Sequence, residues 1–375
     1  MNITHVVENL DRGGLERMVL ELVKLQQRQG HRCLVVCLFD AGAQAGELQS
    51  LGIPVIACGK RDGLDMGVLL RLRHSIRQHH TEVLHTHNAV AHYQAVLASI
   101  GLGIKHILNT RHGMGGGNRR SGRREWLYRR ALAGTHTVVA VCEASRRDAI
   151  ARGILPREKT RVVPNGIRVD RFQPATDDMR HRLLQILGLP PQRRLIGNVG
   201  RLNWTKDQSG LIRAFRHVHA QRPDTALVLI GDGELRAELQ QCARDEGVAD
   251  SVYFLGDRND VHDLLQGLDL FVLSSITEGY SMALLEACAV ALPIIATDVG
   301  GNAEIVHDHR TGRIVPPNNP QALADAILGM LHELGQATAW GHAARAWVEQ
   351  HGSLEAMAKR YAQLYEGGVA RGQHG

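Results

Sequence analysis

Residues 270–287 read LFVLSSITEGYSMALLEA, and this segment decides the fold. Leu270–Leu273 is a short apolar run without charge, which is typical of a strand that a parallel sheet buries on both faces. A polar loop follows it, and a helix is predicted to start near Ser281, just before the apolar residues Leu284 and Leu285. Strand, loop and helix in this order form half of a βαβ unit.

The same alternation of short apolar runs with helix-length segments continues along all 375 residues. In the first half the predicted strands are Ile3–Val7, Cys33–Phe39, Val55–Ala57, Glu82–Thr86, His106–Asn109, Thr137–Val141 and Arg161–Val163. In the second half they are Leu195–Val199, Ala226–Ile230, Val252–Phe254, Leu270–Leu273, Ile294–Thr297 and Gly312–Val315. The apolar residues of Leu15–Gln29 recur every three or four positions, which predicts a helix. Together these patterns indicate an α/β fold with parallel sheets covered by helices.

The series of strands restarts near residue 170. Pro164-Asn165-Gly166 closes the first series, and a new one begins at Arg194. We therefore predict two doubly wound, Rossmann-like domains, residues 1–170 and 171–352, followed by a C-terminal helix and loose tail at 353–375. The helix, Ser353–Tyr365, is expected to cross back to the N-terminal domain. Two such domains facing a central cleft bring the carboxyl ends of their strands together, so the site is expected in the strand-to-helix loops.

The composition, 44% hydrophobic and 22% charged residues, excludes a disordered chain. The uncharged apolar stretches are shorter than the ~20 residues of a membrane-spanning helix. The N-terminus lacks the pattern of a signal peptide, and the six cysteines include no C-x-x-C pair. We therefore expect a cytoplasmic protein with reduced cysteines.

The charge is distributed unevenly along the chain. Residues 1–172 carry 26 basic and 14 acidic side chains, a net charge of +12, and the remaining residues carry 18 and 24, a net charge of −6. The densest basic segment, Arg119–Arg130, includes Trp126 and Tyr128. It suits the anionic inner face of the cytoplasmic membrane or an anionic acceptor, and a solvated helix face is the alternative. Nucleic-acid binding is not expected, because no recognised motif accompanies the charge.

Two of the predicted strand-to-helix loops offer groups for an anion. Gly13-Gly14 follows the first strand, where backbone N–H groups at a helix start could approach a phosphate. Taken alone this signal is weak, and a plain turn is the favoured interpretation. The loop has neither a G-x-G-x-x-G fingerprint nor a P-loop lysine. Arg201 and Lys206 follow the strand Leu195–Val199 and could clamp a diphosphate, unless they are a surface pair without a ligand.

Two carboxylates follow the strand of the opening segment. Glu278 lies in the loop and Glu286 in the second turn of the predicted helix, on the order of 10 Å apart with helix N-terminal amides between them. This arrangement suits a nucleotide-sugar, whose diphosphate binds the amides and whose two sugar rings meet the carboxylates. A glycosidase-like acid/base pair and two surface charges are the alternatives.

The chain has 21 histidines, and two of them form the H-x-H sequence His85-Thr86-His87 at a strand end. The i,i+2 spacing places both on one face of the strand, yet no cysteine or carboxylate at metal spacing accompanies them. We interpret them as a polar cleft wall that touches the acceptor, and we expect no metal site.

The order of these motifs resembles that of retaining GT-B glycosyltransferases, in particular glycosyltransferase family 4. The Glu-x7-Glu pair Glu278 and Glu286 matches that family, as do Gly200-Arg201-Leu202 with Lys206. Further matches are Gly13-Gly14 with Glu16-Arg17, Pro164–Ile167, Ile230–Gly233 and Asp298–Glu304. The resemblance covers nearly the whole chain and is specific for the family, but much less so for the substrate.

The resemblance implies roles for individual residues. Arg201 and Lys206 neutralise the leaving diphosphate, Glu286 holds the ribose, and Glu278 faces the donor sugar. The amides of Gly279, Tyr280 and Ser281 also face the donor sugar. From the other domain, Gly13 and Gly14 approach the diphosphate and the acceptor, and His112 lies near the sugar. Nucleobase contacts are assigned to Gly256–Asp260, which includes Arg258.

The resemblance also implies the reaction: transfer of a sugar, with retention, from a UDP- or GDP-sugar to a glycan or lipid-linked acceptor of polysaccharide biosynthesis. No cofactor is expected, because the chain has no D-x-D sequence to hold a metal on the diphosphate. A nucleotide-sugar 2-epimerase and a non-catalytic binder of anionic glycans or membranes are the alternatives.

Overall fold

A computed structural model describes residues 1–11, 13–61, 65–113, 122–174 and 176–371 of the chain. The chain divides into two compact units. Unit 1 comprises Met1–Gly166 together with the C-terminal segment from Leu354, and unit 2 comprises Ile167–Ser353. The boundary between the units falls inside the Pro164–Ile167 motif.

Unit 1 contains a sheet of seven parallel strands. Its strands are β1 (Asn2–Val7), β2 (Arg32–Cys37), β3 (Val55–Ala57), β4 (Val83–His87), β5 (His106–Arg111), β6 (Thr137–Ala140) and β7 (Thr160–Val162). Its helices are α1 (Gly14–Arg28), α2 (Ala45–Gln49), α3 (Met66–Gln78), α4 (Asn88–Ser99), α5 (Gly122–Ala131), α6 (Glu143–Ala151) and, from the end of the chain, α15 (Leu354–Arg371). The strand order is β3-β2-β1-β4-β5-β6-β7, so its direction reverses between β1 and β4.

Unit 2 contains a sheet of six parallel strands. Its strands are β8 (Arg194–Val199), β9 (Thr225–Ile230), β10 (Val252–Gly256), β11 (Leu270–Leu273), β12 (Ile294–Thr297) and β13 (Arg313–Val315). Its helices are α7 (Asp177–Leu187), α8 (Gln208–Gln221), α9 (Arg236–Asp245), α10 (Val261–Gln266), α11 (Met282–Ala289), α12 (Asn302–Ile305), α13 (Pro320–His332) and α14 (Leu334–His351). The order β10-β9-β8-β11-β12-β13 reverses between β8 and β11.

The predicted α/β architecture is confirmed. All thirteen predicted strands are present with bounds within two residues. The central strands are apolar runs that the sheets bury between helices, whereas the edge strands β3, β7, β10 and β13 are only partly buried. In unit 2, for example, Ile196, Leu227 and Val272 of three strands are buried in one core with residues of α8 and α13. Packing thus constrains the residues at the centre of each sheet, whereas the loops at its carboxyl edge can hold functional residues.

The C-terminal helix α15 packs in unit 1, against α1 and β5, as the sequence predicted. The Tyr361 hydroxyl lies 3.0 Å from Thr110 Oγ1, and the Tyr365 hydroxyl lies 2.7 Å from His85 Nδ1. The helix continues to Arg371, so residues 367–371, which the sequence assigned to a loose tail, are helical. Within the described residues, no helix is long and apolar enough to cross a bilayer.

Candidate active site

The loops at the carboxyl ends of β8 and β11 meet where the strand order of unit 2 reverses. At such a switch point the helices after the two strands pack on opposite faces of the sheet, which leaves a crevice between the loops. Backbone hydrogen bonds tie these loops together: Ile276 N–H donates to the Thr205 carbonyl at 2.8 Å. The Ser274 hydroxyl also donates to the Lys206 carbonyl at 2.8 Å. The side chains that follow are therefore held on a rigid base.

Lys206 and Glu278, both predicted site residues, lie in contact across this crevice. Lys206 Nζ is 2.5 Å from Glu278 Oε1, and the Ser275 hydroxyl donates to the same oxygen at 2.7 Å. The side chains are only 20% and 10% exposed, so water screens the ion pair weakly. The crevice thus presents an ammonium and a carboxylate at one point. The sequence assigned no role to Ser275, although it lies in the predicted loop three residues before Glu278.

Arg201 is exposed at the start of the β8 loop. Its carbonyl accepts hydrogen bonds from Asn203 N–H at 2.9 Å and from Gln208 Nε2 at 3.1 Å, which fix its backbone. Among the described residues no carboxylate forms an ion pair with its guanidinium, in contrast to Lys206. Arg201 therefore offers its full set of donors to an anion.

Close backbone packing explains two glycines of the family motifs. Gly300 has φ +55°, and a Cβ there would lie 2.1 Å from the Glu278 carbonyl oxygen. Gly231 has φ +130°, and a Cβ there would lie 2.2 Å from the Gly200 carbonyl oxygen. Only glycine allows this conformation and this approach together. The two positions hold the loops that carry Glu278 and Arg201.

The helix α11 starts as predicted. The Ser281 hydroxyl accepts from Leu284 N–H at 3.4 Å and caps the helix, which begins at Met282. Tyr280 and Ser281 are buried, and Gly279 is half-buried. Glu286 is half-buried in the second helical turn. Both carboxylates of the Glu-x7-Glu pair thus belong to the β11–α11 connection.

Arg258 follows β10, and two of its donors are already used. Its guanidinium forms hydrogen bonds of 2.8 and 2.6 Å to the two carboxylate oxygens of Asp260. These bonds raise the pKa of Arg258 and lower the pKa of Asp260. The other three N–H donors of the guanidinium remain for a ligand, so the predicted contact of this loop with the donor nucleotide stays a prediction.

In unit 1, Gly13 and Gly14 form the start of α1. Gly13 is the N-cap in an extended conformation, and a Cβ there would lie 2.2 Å from Glu16 Oε2. Gly14 is the first helical residue and is exposed. The helix of 15 residues directs its N-terminal N–H groups towards the loop after β1, as an anion site requires.

His112 follows β5 directly, next to the end of β4. Its backbone N–H donates to Asn88 Oδ1 at 3.3 Å, and Asn88 adopts φ +62° at the start of α4. Its ring Nε2 lies 3.1 Å from His87 Nδ1, and within the described residues its buried Nδ1 has no hydrogen-bond partner. Burial lowers the pKa of His112 to about 3, so the ring is neutral.

The predicted role of His85 and His87 as an acceptor-facing cleft wall is wrong, because both rings are buried inside unit 1. Their partners are other side chains of the unit, including His5 and Tyr365. One ligand nitrogen from each of His5, His85 and His87 lies within 4.8 Å of the other two. His5 was missed in the sequence, where its position inside the apolar strand β1 was the available signal.

Part of the predicted membrane segment is also corrected. Residues 119–121 lie outside the described residues. In α5, Trp126 is 55% exposed, but Tyr128 is buried and donates to Asn109 Oδ1 at 2.8 Å. Tyr128 is therefore a core residue and is not available to a membrane.

Solved structures share this fold over nearly the whole chain. The Anabaena protein HepE, crystallised with UDP and glucose, has a TM-score of 0.87 at 22% identity and covers 98% of this chain and 99% of its own. WaaG, a glycosyltransferase of lipopolysaccharide biosynthesis, has a TM-score of 0.76 at 18% identity and covers 97% of this chain and 99% of its own. Two doubly wound parallel sheets of this kind define the GT-B fold of glycosyltransferases.

Sequence comparisons agree with the fold. Residues 12–171 match the family Glycosyltransferase Family 4, and residues 179–347 match Glycosyl transferases group 1. The putative glycosyltransferase EpsF of Bacillus subtilis is 28% identical over 79% of both chains. An Escherichia coli UDP-Gal:α-D-GlcNAc-diphosphoundecaprenol α-1,3-galactosyltransferase is 27% identical over 70% of both chains. The chain belongs to the family 4 glycosyltransferases, and it is therefore an enzyme and not a passive binder.

Proposed function

We propose that this enzyme moves a sugar, with retention and without a metal, from a UDP- or GDP-sugar to a glycan or lipid-linked acceptor of cell-surface polysaccharide synthesis. The observation that carries the proposal is the contact of Lys206 with Glu278 at the switch point of unit 2. Arg201 lies in the same loop as Lys206 and forms no ion pair with any described residue. A cation and a carboxylate at one point suit a substrate that is anionic at its phosphates and rich in hydroxyls at its sugar.

Arg201 and Lys206 bind the diphosphate in this proposal. Negative charge builds up on the leaving phosphate in the transition state, and preorganised cations that meet it there lower the barrier by several kcal/mol. Lys206 has three N–H donors, of which Glu278 takes one, so two remain for phosphate oxygens. The two side chains thus supply the charge that a metal ion supplies in other phosphate-handling enzymes.

Glu278 and Glu286 bind the two sugar rings. A carboxylate accepts hydrogen bonds from hydroxyl pairs, and the low exposure of Glu278 strengthens such bonds. Glu278 and the amides of residues 279–281 hold the donor sugar, whereas Glu286 holds the ribose. The acceptor oxygen attacks the anomeric carbon on the face from which the phosphate leaves, while its proton passes to an oxygen of that phosphate. Attack on the same face gives retention without a protein nucleophile. In unit 1, Gly13 and Gly14 offer helix N-terminal amides to an anion, and His112 offers a ring nitrogen.

A cavity in unit 1 suits the acceptor. It has a volume of about 590 Å³ and opens at the carboxyl ends of β2 and β3. Its lining includes two cations, Lys60 and Arg71, one carboxylate, Asp40, and the ring of Phe39. The excess of positive charge beside an aromatic ring suits an anionic acceptor with an apolar part. The E. coli relative is named for a diphosphoundecaprenol-linked acceptor, and mycobacterial relatives are named for phosphatidylinositol mannosides. We therefore favour a lipid-linked phosphate or diphosphate as the acceptor.

The basic helix α5 suits contact with the anionic inner face of the cytoplasmic membrane. Arg123, Arg124, Arg129 and Arg130 are exposed, and the Arg130 guanidinium lies 5.4 Å from the centre of the exposed Trp126 ring. Each arginine near an anionic surface adds about 1 kcal/mol of attraction. A lipid-linked acceptor would be reached from this location.

A thermal-shift screen tests the donor. UDP, GDP, UDP-glucose and GDP-mannose are each titrated against the full chain and against its Arg201→Ala variant. A ligand that binds only the folded state stabilises it by about 2.7 kcal/mol at one hundred times its dissociation constant. One nucleotide series is expected to raise the midpoint of the wild type and not of the variant. Equal shifts for both proteins, or none for any nucleotide, would contradict the proposal.

Two incubations complete this test. Donor alone is expected to remain a nucleotide-sugar of unchanged configuration, whereas an epimer formed without acceptor would identify a 2-epimerase. Transfer in the presence of EDTA is expected to proceed at the same rate as without it. Loss of transfer that Mg²⁺ or Mn²⁺ restores would contradict metal independence.

A further inference from the structure

Three histidine rings form a hydrogen-bonded row through the interior of unit 1. His5 Nδ1 lies 3.2 Å from His87 Nε2, and His87 Nδ1 lies 3.1 Å from His112 Nε2. The three residues belong to β1, to β4 and to the position after β5, which are neighbours in the sheet. The row therefore crosses the sheet where its strand order reverses and ends at the carboxyl edge.

The inner end of the row is fixed by an amide. Gln26 Oε1 lies 2.8 Å from His5 Nε2, and Gln26 Nε2 donates to the Tyr365 hydroxyl at 3.2 Å. A carbonyl oxygen can only accept, so His5 Nε2 carries the proton. Gln26 belongs to α1 and contacts Tyr365 of the last helix, and its orientation thus sets the direction of the first hydrogen bond in the row.

Because each ring is neutral, the direction of this first hydrogen bond determines the direction of the two that follow. A neutral imidazole has one N–H group and one lone pair, so His5 Nδ1 must accept from His87 Nε2. By the same rule His87 Nδ1 accepts from His112 Nε2, which leaves the lone pair of His112 on Nδ1. Within the described chain this Nδ1 is the end of the row without a partner. Burial holds the pKa of His5 near 4 and that of His87 well below 6.5, so the rings stay neutral.

We propose that Gln26, His5 and His87 are positioning residues that fix the tautomer of His112, so that its Nδ1 accepts a hydrogen bond from a hydroxyl of the substrate. The inference deepens the proposed function, on which the identity of the hydroxyl as a sugar group rests. His112 then selects for a hydrogen-bond donor. It disfavours a substrate that presents a carboxylate at the same point, because two acceptors would face each other.

A metal ion is the competing occupant of this cluster. Zinc binds imidazole nitrogens through their lone pairs, but His5 Nδ1 and His87 Nε2 of this cluster already share a hydrogen bond of 3.2 Å. His85 is also bound on both nitrogens, to the Tyr365 hydroxyl at 2.7 Å and to Thr110 Oγ1 at 2.9 Å. Hydrogen bonds account for both ring nitrogens of His5, His85 and His87, so this cluster requires no metal.

Long-range proton–nitrogen NMR on the full chain with ¹⁵N-labelled histidine tests the proposal directly. The nitrogen shifts distinguish a protonated ring nitrogen from one with a lone pair, and His→Gln variants assign the signals. At pH 7.5 His5, His87 and His112 are each expected to show one tautomer, protonated on Nε2. An Nδ1-protonated or averaged His112 would overturn the proposal. So would bound zinc with three of these rings as ligands, measured by metal analysis of the purified protein.

The His5→Phe variant tests the coupling, with His92→Phe as the matched control. His92 is equally buried in unit 1 and is bonded on both nitrogens to Thr86 and Thr135, but it lies outside the row. His5→Phe is expected to give His112 averaged tautomers and to lower kcat/KM about tenfold, as for one lost hydrogen bond. His92→Phe is expected to leave the His112 signal unchanged. The same loss of His112 order in both variants would show a merely structural effect.

The wild-type spectrum decides the tautomer even if His5→Phe does not fold. It needs no donor, so its result is independent of the thermal-shift screen. If NMR shows a fixed Nε2–H tautomer of His112 but no nucleotide binds in the thermal-shift screen, the positioning of His112 is supported and only the proposed function is overturned.

Discussion

The two sheets reverse their strand order in the same way, but they place different chemistry at the reversal. Between β1 and β4 unit 1 carries neutral imidazoles that are buried and bonded to one another. Between β8 and β11 unit 2 carries an ion pair, Lys206 with Glu278, beside an exposed arginine. The shared topology therefore determines where a ligand can bind. The side chains determine whether the position suits a phosphate or a hydroxyl.

The net charges of the units run opposite to this local chemistry. Unit 1 has 27 basic and 15 acidic residues, a net charge of +12, and unit 2 has 17 and 23, a net charge of −6. The cations that suit a diphosphate nevertheless lie on the acidic unit. Net charge acts on solubility and on association with charged surfaces, whereas a site depends on the few groups within it.

Acid is expected to produce the largest difference between the two units, because it lowers the stability of unit 1 more than that of unit 2. Burial lowers the pKa of His5, His92, His106 and His112 to about 4, 3, 4 and 3, and that of His85 and His87 well below 6.5. The unfolded chain binds these protons near pH 6.5 and the folded chain does not. Each histidine therefore removes about 1.4 kcal/mol of stability per pH unit as the pH falls from 6.5 towards its folded pKa.

Hydrogen exchange with mass spectrometry, from pH 7.5 to 4.5 and corrected for the intrinsic rate, measures this loss separately for each unit. Peptides of β1 and β4 are expected to lose protection first, and those of β8 and β11 later. Simultaneous loss in both units, or greater stability of unit 1 at pH 5 than at pH 7.5, would contradict the burial of neutral histidines.

The second largest expected effect is a loss of turnover when a charged residue is replaced at the switch point between β8 and β11 of unit 2. Glu278→Gln and Arg201→Ala should each lower kcat at least ~100-fold, since each removes a preorganised contact to the transition state. Steady-state transfer assays measure the effect. Glu246→Gln and Arg222→Ala, which alter ion pairs elsewhere in unit 2, serve as controls and should retain wild-type turnover. A loss below fivefold at Glu278 would remove this carboxylate from the reaction.

A smaller effect, on stability, is expected in unit 1, where neutral histidines lie at the reversal between β1 and β4. Tyr365→Phe leaves His85 Nδ1 and Gln26 Nε2 without their partner and should reduce the stability of unit 1 by about 2 kcal/mol. Tyr253→Phe is the matched control, because the exposed Tyr253 hydroxyl only donates to the Asp250 carbonyl at 3.2 Å. Urea denaturation followed by circular dichroism measures both variants. Equal stabilities would show that the hydroxyl of Tyr365 contributes nothing.

The smallest expected effect is on membrane binding, which we attribute to the positive net charge of unit 1. Arg123→Ala should weaken binding to vesicles of anionic lipid by about 1 kcal/mol, or roughly fivefold. Arg216→Ala on unit 2 should leave that binding unchanged. Co-sedimentation with anionic and neutral vesicles measures it. Equal binding of the wild type to both kinds of vesicle would refute membrane association through α5.

The strands and the ionic site could be predicted from the sequence because their signals are local. Leu270–Leu273 is apolar without interruption, and Glu278, Glu286 and Ser281 lie within one strand–loop–helix segment. The contact of Lys206 with Glu278 spans 72 residues, but each residue follows a recognisable strand. A doubly wound topology brings such positions together by rule.

The row of histidines could not be predicted, because it depends on burial by a distant part of the chain. The i,i+2 spacing correctly put His85 and His87 on one face, but it does not say what covers that face. The covering residue, Tyr365, lies 280 positions beyond His85. The pairing of Arg258 with Asp260 was also not predicted, although both residues lie in the loop to which nucleobase contacts were assigned.

The return of α15 to unit 1 has a consequence for biosynthesis. The first 166 residues leave the ribosome before the 187 residues Ile167–Ser353 are translated, and only then are Tyr361 and Tyr365 made. At 5–20 residues per second this delay lasts roughly 10–40 s. Throughout it the nascent N-terminal half lacks the two phenols that complete its interior. Its interior is therefore completed only after α15 has been synthesised.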